Sequence, residues 1–136
     1  MSRVLVLMGS KSDMATMQKG VDVLQEAGVD VEVIVSSAHR QPDETAAHAK
    51  RARADGFGVV ICGAGLAAAL PGVVAAHTDL PVIGVPISAG TLGGLDALLS
   101  IAQMPPGVPV ATVGIDNSRN AAHLALRILG GDATAA

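Results

Sequence analysis

The chain contains no tryptophan, no tyrosine and a single phenylalanine, Phe57, among its 136 residues. Aromatic side chains build the stacking platforms of single-stranded nucleic-acid binders and the cages that hold quaternary ammonium groups. Both kinds of site are therefore excluded. Any ligand must be held by backbone groups and small polar side chains.

Cysteine and charge are also scarce. Cys62 is the only cysteine, which excludes an intramolecular disulfide and a multi-cysteine metal site and predicts a reducing, cytoplasmic location. Only 15% of the residues are charged and the formal net charge is -3, so the surface is no broad platform for nucleic acid. The four histidines show no metal-binding spacing, and we expect no metal.

Membrane-spanning and secretory segments are not expected. The stretch Val59–Ala76 runs for eighteen residues without a charge, which is the length of a membrane span. Three glycines and Pro71 interrupt it, so we expect a strand, a glycine turn and the start of a helix. The apolar stretch Val4–Met8 near the N-terminus is too brief for a secretion signal.

What the chain does have is a regular alternation of short apolar runs and segments with helical spacing. Strands are predicted over Val4–Met8, Val29–Val35, Gly58–Cys62, Leu80–Val85 and Val108–Val113. Helices are predicted from Met14 to about Gly28, from Pro42 to about Gly56, and near Ala67–His77, Leu92–Ile101 and Ser118–Leu129.

Apolar strands that are each followed by a helix indicate a parallel sheet covered on both faces. The sequence predicts one α/β domain over residues 1–136, with a tail at 130–136 that we expect to fray. The fold is a three-layer α/β/α sandwich with a five-stranded parallel sheet in the flavodoxin-like order 2-1-3-4-5. In such sheets ligands bind at the carboxyl ends of the strands where the order reverses, here between the first and third strands.

The first loop at this place offers groups that attract phosphate. It reads Gly9-Ser10-Lys11-Ser12-Asp13 and combines a glycine, two hydroxyls and the free amides of a helix N-terminus. Asp13 is a candidate partner for ribose hydroxyls. The alternative is that Ser12 and Asp13 only cap the helix. The spacing is not that of a P-loop, so ATP hydrolysis is not implied.

The second loop sets an ionisable group beside a permanent cation. Within Ser37-Ala38-His39-Arg40, His39 can move a proton near neutral pH, and Arg40 can form a forked contact with a phosphate. The alternative is a solvated loop histidine with no chemical role.

The third loop, Gly63-Ala64-Gly65-Leu66-Ala67-Ala68, follows a strand and matches a dinucleotide-binding fingerprint with alanine in the last place. That fingerprint also requires an acidic residue at the end of the next strand, where this chain has Val85 and Pro86. Nicotinamide binding is therefore disfavoured. A response-regulator receiver domain of the same fold is also excluded, because it requires acidic residues at the ends of the first and third strands, where this chain has Gly9 and Gly63.

Several segments together resemble one family, the N5-carboxyaminoimidazole ribonucleotide mutases, which form the AIR carboxylase catalytic-subunit family of purine biosynthesis. They are Met8–Asp13, Ser37–Arg40 followed by Pro42-Asp43, Gly63–Gly65, Leu70–Gly72, Pro81–Pro86 and Ser100–Pro105. The resemblance implies a flavodoxin-like homo-octamer that isomerises a small ribonucleotide without ATP, metal, biotin or another cofactor. The apolar composition independently favours a homo-oligomer.

The resemblance also implies roles for the three loops. Ser10, Asp13 and Arg40 would contact the phosphoribosyl part of the substrate, with Ser12 and Ser37 close to it. The general acid and base would be His39. A separate wall, Gly63, Ala64, Gly65 and Leu66, would enclose carbon dioxide between its release and its recapture.

The chain departs from the family pattern at two positions. Leu66 and Ala69 stand where the family usually has glycine and histidine. The related aminoimidazole ribonucleotide carboxylases typically carry lysine in place of Arg40, so Arg40 favours the mutase while Leu66 and Ala69 leave direct carboxylation open. A non-catalytic nucleotide-binding module of the same fold is a third hypothesis.

Overall fold

The computed structural model describes residues 3–130, and its parallel sheet has five strands in the order β2-β1-β3-β4-β5. The strands are β1 (Arg3–Met8), β2 (Val31–Val35), β3 (Phe57–Gly65), β4 (Val82–Ile87) and β5 (Ala111–Thr112). The helices are α1 (Met14–Glu26), α2 (Pro42–Arg51), α3 (Leu70–His77), α4 (Leu95–Ala102) and α5 (Ser118–Leu129). This confirms the predicted fold class and strand order. The predicted frayed tail lies outside the described residues from 131 onward.

Alternate residues of the central strands face two separate hydrophobic cores, because successive side chains of a strand point to opposite faces. In β1, Val4, Val6 and Met8 pack with residues of α1 and α5. Leu5 and Leu7 face the other side, toward residues of α2, α3 and α4. Two helices therefore cover one face of the sheet and three cover the other.

The third strand is longer than predicted because its small residues continue the ladder. Gly63, Ala64 and Gly65 pair with β4 and belong to the strand. A Cβ on Gly63 would lie 2.5 Å from the Sδ atom of Met17 in α1. This glycine thus permits close packing of a helix on the strand, which sequence spacing alone does not distinguish from a glycine that approaches a ligand.

Several other elements are shorter than predicted. β2 starts at Val31, α2 ends at Arg51 and α3 starts at Leu70, and β5 and α4 are also shortened. The edge strand β5 has two residues, because Pro109 has no amide hydrogen for the ladder and the chain around it turns. The helix predicted from Leu92 begins at Leu95, since Gly93 and Gly94 both adopt left-handed backbone, with φ of 60° and 93°. The residues before them, Gly90–Leu92, form a separate 3₁₀ turn.

The long apolar stretch in the middle of the chain divides into β3, a loop and α3, as predicted. Within residues 3–130, no helix has the length and apolar character needed to cross a membrane. Cys62 is buried in the sheet, and burial raises the pKa of its thiol. Its surroundings are those of a core residue.

Candidate functional site

A cleft of about 320 Å³ opens at the carboxyl ends of β1, β2 and β3. It lies where the strand order reverses, as the sequence predicts. The residues that line it are Gly9, Ser10, Ser12, Asp13, Ser37, Ala38, His39, Arg40, Ala64, Gly65, Leu66, Ala67, Ala68, Ala69, Leu70 and Ala89.

The wall that follows β1 is a 3₁₀ turn, Lys11–Asp13, with reciprocal caps. The Ser10 hydroxyl accepts from the Ser12 amide at 3.3 Å, and Oδ2 of Asp13 accepts from the Ser10 amide at 3.1 Å. The two serine hydroxyls lie 3.0 Å apart. Ser10 is thus the N-cap of this turn and Asp13 closes the reciprocal bond, whereas the Asp13 side chain makes no capping hydrogen bond to α1, the helix that one hypothesis had Ser12 and Asp13 cap. The same groups also face the cleft.

Asp13 is half-buried, and burial raises the pKa of its carboxyl; the hydrogen bond from the Ser10 amide partly offsets this effect. A charge that is partly removed from water costs folding free energy unless it is paired. Asp13 thus keeps a carboxylate at the cleft wall at some expense in stability.

The wall that follows β2 carries the histidine and the arginine. The Ser37 hydroxyl accepts from the Arg40 amide at 3.2 Å, and the Ser37 carbonyl accepts from the Gln41 amide at 2.8 Å. Ser36 is buried just before this turn, with its hydroxyl 2.7 Å from that of Thr45 in α2. The backbone of the turn is therefore fixed at both ends, while the side chains of His39 and Arg40 are exposed to the cleft.

The wall at the carboxyl end of β3, formed by the last residues of that strand and the residues after it, is apolar. Ala64, Gly65 and Leu66 line the cleft as predicted, whereas Gly63 does not and instead packs under α1. Leu66 is 54% exposed and adopts left-handed backbone with φ of 55°. Glycine would occupy that conformation without strain, so a leucine here is held against its backbone preference.

Sequence reasoning missed the contribution of β4. Ala89 follows that strand and lines the cleft, next to the small residues Ala67, Ala68 and Ala69. The rule that ligands bind at strand carboxyl ends applies to β4 as well as to its neighbours. An alanine carries no chemical signal of its own, so the sequence alone does not single out this residue.

The cleft thus combines one hydroxyl-rich wall, one wall with an imidazole and a guanidinium, and one apolar wall. The first two can bind a phosphorylated sugar, and the imidazole can exchange a proton with a group held between them. Within residues 3–130, no cluster of three or more histidine, cysteine or acidic side chains is arranged to hold a metal ion.

The other histidines lie away from the cleft. His48 in α2 is half-buried, with its Nδ1 atom 2.8 Å from Nη2 of Arg51. Burial and that guanidinium lower the pKa of His48. His77 and His123 are exposed at helical positions.

Comparison with known proteins identifies the family. The model of the family described as AIR carboxylase matches residues 3–135. The chain belongs to the AIR carboxylase family. It is 55% identical over 130 residues to the N5-carboxyaminoimidazole ribonucleotide mutase of Thermotoga maritima, covering 96% of this chain and 76% of that protein.

Two further relatives within the AIR carboxylase family extend the comparison. The phosphoribosylaminoimidazole carboxylase of Schizosaccharomyces pombe is 54% identical over 124 residues, which is 91% of this chain but 22% of that longer protein. The crystal structure of Treponema denticola PurE superimposes with a TM-score of 0.84 at 29% identity, covering 97% of this chain and 87% of that one.

Proposed function

We propose that this member of the AIR carboxylase family is an isomerase of purine biosynthesis that converts N5-carboxyaminoimidazole ribonucleotide to 4-carboxy-5-aminoimidazole ribonucleotide. The observation that carries the proposal is the shared cleft of His39, Arg40, Ser10 and Asp13, opposite an apolar wall. The relative from Thermotoga maritima, at 55% identity, bears the name of this mutase.

The polar walls suit the phosphoribosyl part of the substrate. Arg40 offers a forked cation to the phosphate, and the hydroxyls of Ser10, Ser12 and Ser37 offer further hydrogen bonds. Asp13 is placed to accept from ribose hydroxyls. These contacts hold the same group before and after the reaction, so they position the imidazole ring without favouring either isomer.

His39 acts as both general acid and general base. The bond between the exocyclic nitrogen and its carboxylate breaks, carbon dioxide forms, and the His39 imidazolium gives its proton to that nitrogen. C4 of the ring then attacks carbon dioxide to form a carbon–carbon bond, and its proton returns to His39. Bonds and protons balance, and one imidazole serves both steps because the proton that it gives in the first step returns to it in the second.

The apolar wall serves the interval between the two steps. Carbon dioxide is uncharged, so Ala64, Gly65 and Leu66, which have no polar side-chain atoms, can enclose it without side-chain hydrogen bonds. Retention matters because escape would leave the decarboxylated ribonucleotide as a dead-end product.

Turnover with two substrates tests the proposal. The protein receives either the carboxyamino ribonucleotide without added bicarbonate or the uncarboxylated aminoimidazole ribonucleotide with bicarbonate, and product absorbance is followed. We expect turnover of the first compound without bicarbonate. If only the second compound reacts, and only when bicarbonate is present, the protein is a carboxylase.

Direct carboxylation is the second candidate because the relative from Schizosaccharomyces pombe, named a carboxylase, is 54% identical. Leu66 and Ala69 both line the cleft and differ from the usual family pattern, so they also leave direct carboxylation as an alternative function. If neither substrate reacts but the ribonucleotide binds, and His39→Asn leaves that binding unchanged, the chain is a nucleotide-binding module.

The assembly we propose is a cytoplasmic homo-octamer. Three leucines in and before α4 are half or more exposed: Leu92 by 59%, Leu95 by 50% and Leu99 by 50%. Burial of such a group between subunits would remove apolar surface from water. Sedimentation at micromolar concentration should give an oligomer, and a single 13.5 kDa species would contradict it.

A further inference from the structure

Asp116 lies between β5 and α5 in an uncommon conformation. Within residues 3–130, only Leu66 and Asp116 combine a side chain with a left-handed backbone, and φ of Asp116 is 61°. Aspartate tolerates this region when its short carboxylate bonds locally. The hydrogen-bond partners of the Asp116 carboxylate should therefore account for this conformation.

The carboxylate holds the end of β4. Oδ1 of Asp116 accepts from the Ser88 amide at 2.8 Å, and Oδ2 accepts from the Ser88 hydroxyl at 2.7 Å. The Asp116 amide donates to the carbonyl of Pro86 at 2.7 Å. Three hydrogen bonds thus attach this turn to the residues that lead out of β4.

A capping role for α5 does not account for these bonds. The N-cap of α5 is Asn117, whose side chain accepts from the Asn120 amide at 3.0 Å. The carboxylate of Asp116 points away from that helix, to Ser88. Its two side-chain bonds act across the sheet edge, between the segments that follow β4 and β5.

The segment held by Asp116 supports the apolar wall of the cleft. Ala89, next to Ser88, lines the cleft, and a Cβ placed on Gly65 would lie 3.2 Å from the Cβ of Ala89. A Cβ placed on Gly90 would lie 2.9 Å from Cδ2 of Leu66. The loop after β4 is thus packed closely behind the wall formed after β3.

We propose that Asp116 is a positioning residue that keeps the apolar wall closed on carbon dioxide. It acts through Ser88, which holds Ala89 and Gly90 against Gly65 and Leu66. This inference rests on the proposed mutase function, and it assigns Asp116 a part in retaining the intermediate. Asp116 is not among the residues that line the cleft, so the role assigned to it is one of positioning.

The test compares Asp116→Gly with Asp116→Asn. Glycine adopts the left-handed conformation without strain, so Asp116→Gly removes only the carboxylate bonds. Asparagine also tolerates this conformation and keeps an oxygen that accepts from the Ser88 amide. A third variant, Ser88→Ala, deletes the hydroxyl bond and leaves Asp116 in place.

The measurements are kcat, KM and the amount of free aminoimidazole ribonucleotide released per carboxylated product, corrected for breakdown without enzyme. For Asp116→Gly we expect kcat to fall on the order of tenfold and release of the decarboxylated compound to rise several-fold, because the wall no longer holds carbon dioxide in place. KM should stay within about twofold of wild type, since the phosphate contacts lie on other walls. Asp116→Asn should recover most of the loss.

Each result decides the matter. If folded Asp116→Gly keeps the kcat and the product ratio of wild type, or if Asp116→Asn is as impaired as Asp116→Gly, the positioning role is wrong. If Asp116→Gly does not fold, Ser88→Ala decides instead, and an unchanged product ratio in that variant overturns the role. A wild-type protein that turns over neither substrate contradicts the proposed function, which is a separate outcome.

Discussion

His39 and Arg40 are adjacent residues to which the proposed mechanism gives different tasks. In His39→Asn we expect turnover to be abolished while the ribonucleotide still binds, because asparagine keeps a polar side chain but has no group that titrates near neutral pH. Calorimetric titration and a turnover assay measure the two properties separately.

Two variants serve as comparisons for His39→Asn. In Arg40→Ala, binding should weaken by about 2 kcal/mol through loss of a charge-assisted contact. In His77→Asn, which changes an exposed histidine outside the cleft, turnover should be unaffected. Normal turnover in His39→Asn would remove the imidazole from the mechanism.

Partial burial of the Asp13 carboxylate at the cleft lowers the stability of the folded protein. Burial raises the pKa of its carboxyl, so the folded state favours the protonated form, and the stability associated with that form is lost as the pH rises through the raised pKa. At pH 7 the free energy of unfolding of Asp13→Asn should therefore be slightly higher than that of wild type. The difference should be about a few tenths of a kcal/mol, because the group is half-exposed. Turnover should fall, since asparagine has one accepting oxygen in place of two, and the Ser10 amide and the ribose hydroxyls would compete for it.

Denaturant unfolding of wild type and Asp13→Asn between about pH 3 and pH 7 checks the sign. The difference should vanish at the acid end, where Asp13 is protonated. If Asp13→Asn is instead less stable than wild type at pH 7, the carboxylate contributes more as the cap for the Ser10 amide than it costs by burial.

At the scale of the element, α1 and α5 are joined by one buried serine. The Ser118 hydroxyl donates to the carbonyl of Thr16 at 2.6 Å and accepts from the Gly20 amide at 3.1 Å. A Cβ on Gly20 would lie 2.5 Å from the carbonyl oxygen of Ser118. The close approach of the two helices therefore depends on glycine at this position.

Gly20→Ala should destabilise the protein by roughly 1 to 3 kcal/mol, because the added methyl overpacks the contact with the backbone of Ser118. The helix propensity of alanine favours the opposite sign by about 1 kcal/mol, so a net loss would show that packing dominates. Gly114→Ala is the control, since its Cβ would lie 3.9 Å from Asn117 and its φ is not positive. Denaturant unfolding compares them, and equal stabilities would contradict the packing argument.

The elements that the sequence predicts best are those whose signal is local. The helix predicted near Ser118–Leu129 agrees with α5, because the apolar spacing lies within that segment and the left-handed Gly130 that ends it follows directly. The extent of β3 is less evident, because Gly63–Gly65 have little strand preference of their own and remain paired only through their neighbours in β4.

The residues of the candidate site also divide into those with a local signal in the sequence and those placed by packing. Sequence spacing predicts the polar residues of the first two loops, whose side chains carry a chemical signal. It does not predict that Gly63 packs against Met17 outside the cleft, or that Ala89, which follows β4, lines the cleft. These depend on packing between segments that are distant in the chain.

At the scale of the whole molecule, the exposed leucines of α4 bear on assembly. Leu99→Glu should shift sedimentation toward smaller species, because a carboxylate on an apolar interface must be desolvated. The protein itself should remain folded, since Leu99 is 50% exposed in the single chain. An unchanged oligomer would place the subunit contact on another face.

The central position of β1 has a consequence for synthesis. Val4 pairs with Val31 on one side and with Val59 on the other, so β1 is flanked on both sides only after β2 and β3, which both follow it in the chain, have been synthesised. Until then its apolar faces are uncovered and prone to wrong association. A chain released when synthesis stops within α2 would lack β3 and therefore a complete nucleotide-binding cleft. Such fragments should be targets for chaperones and proteases.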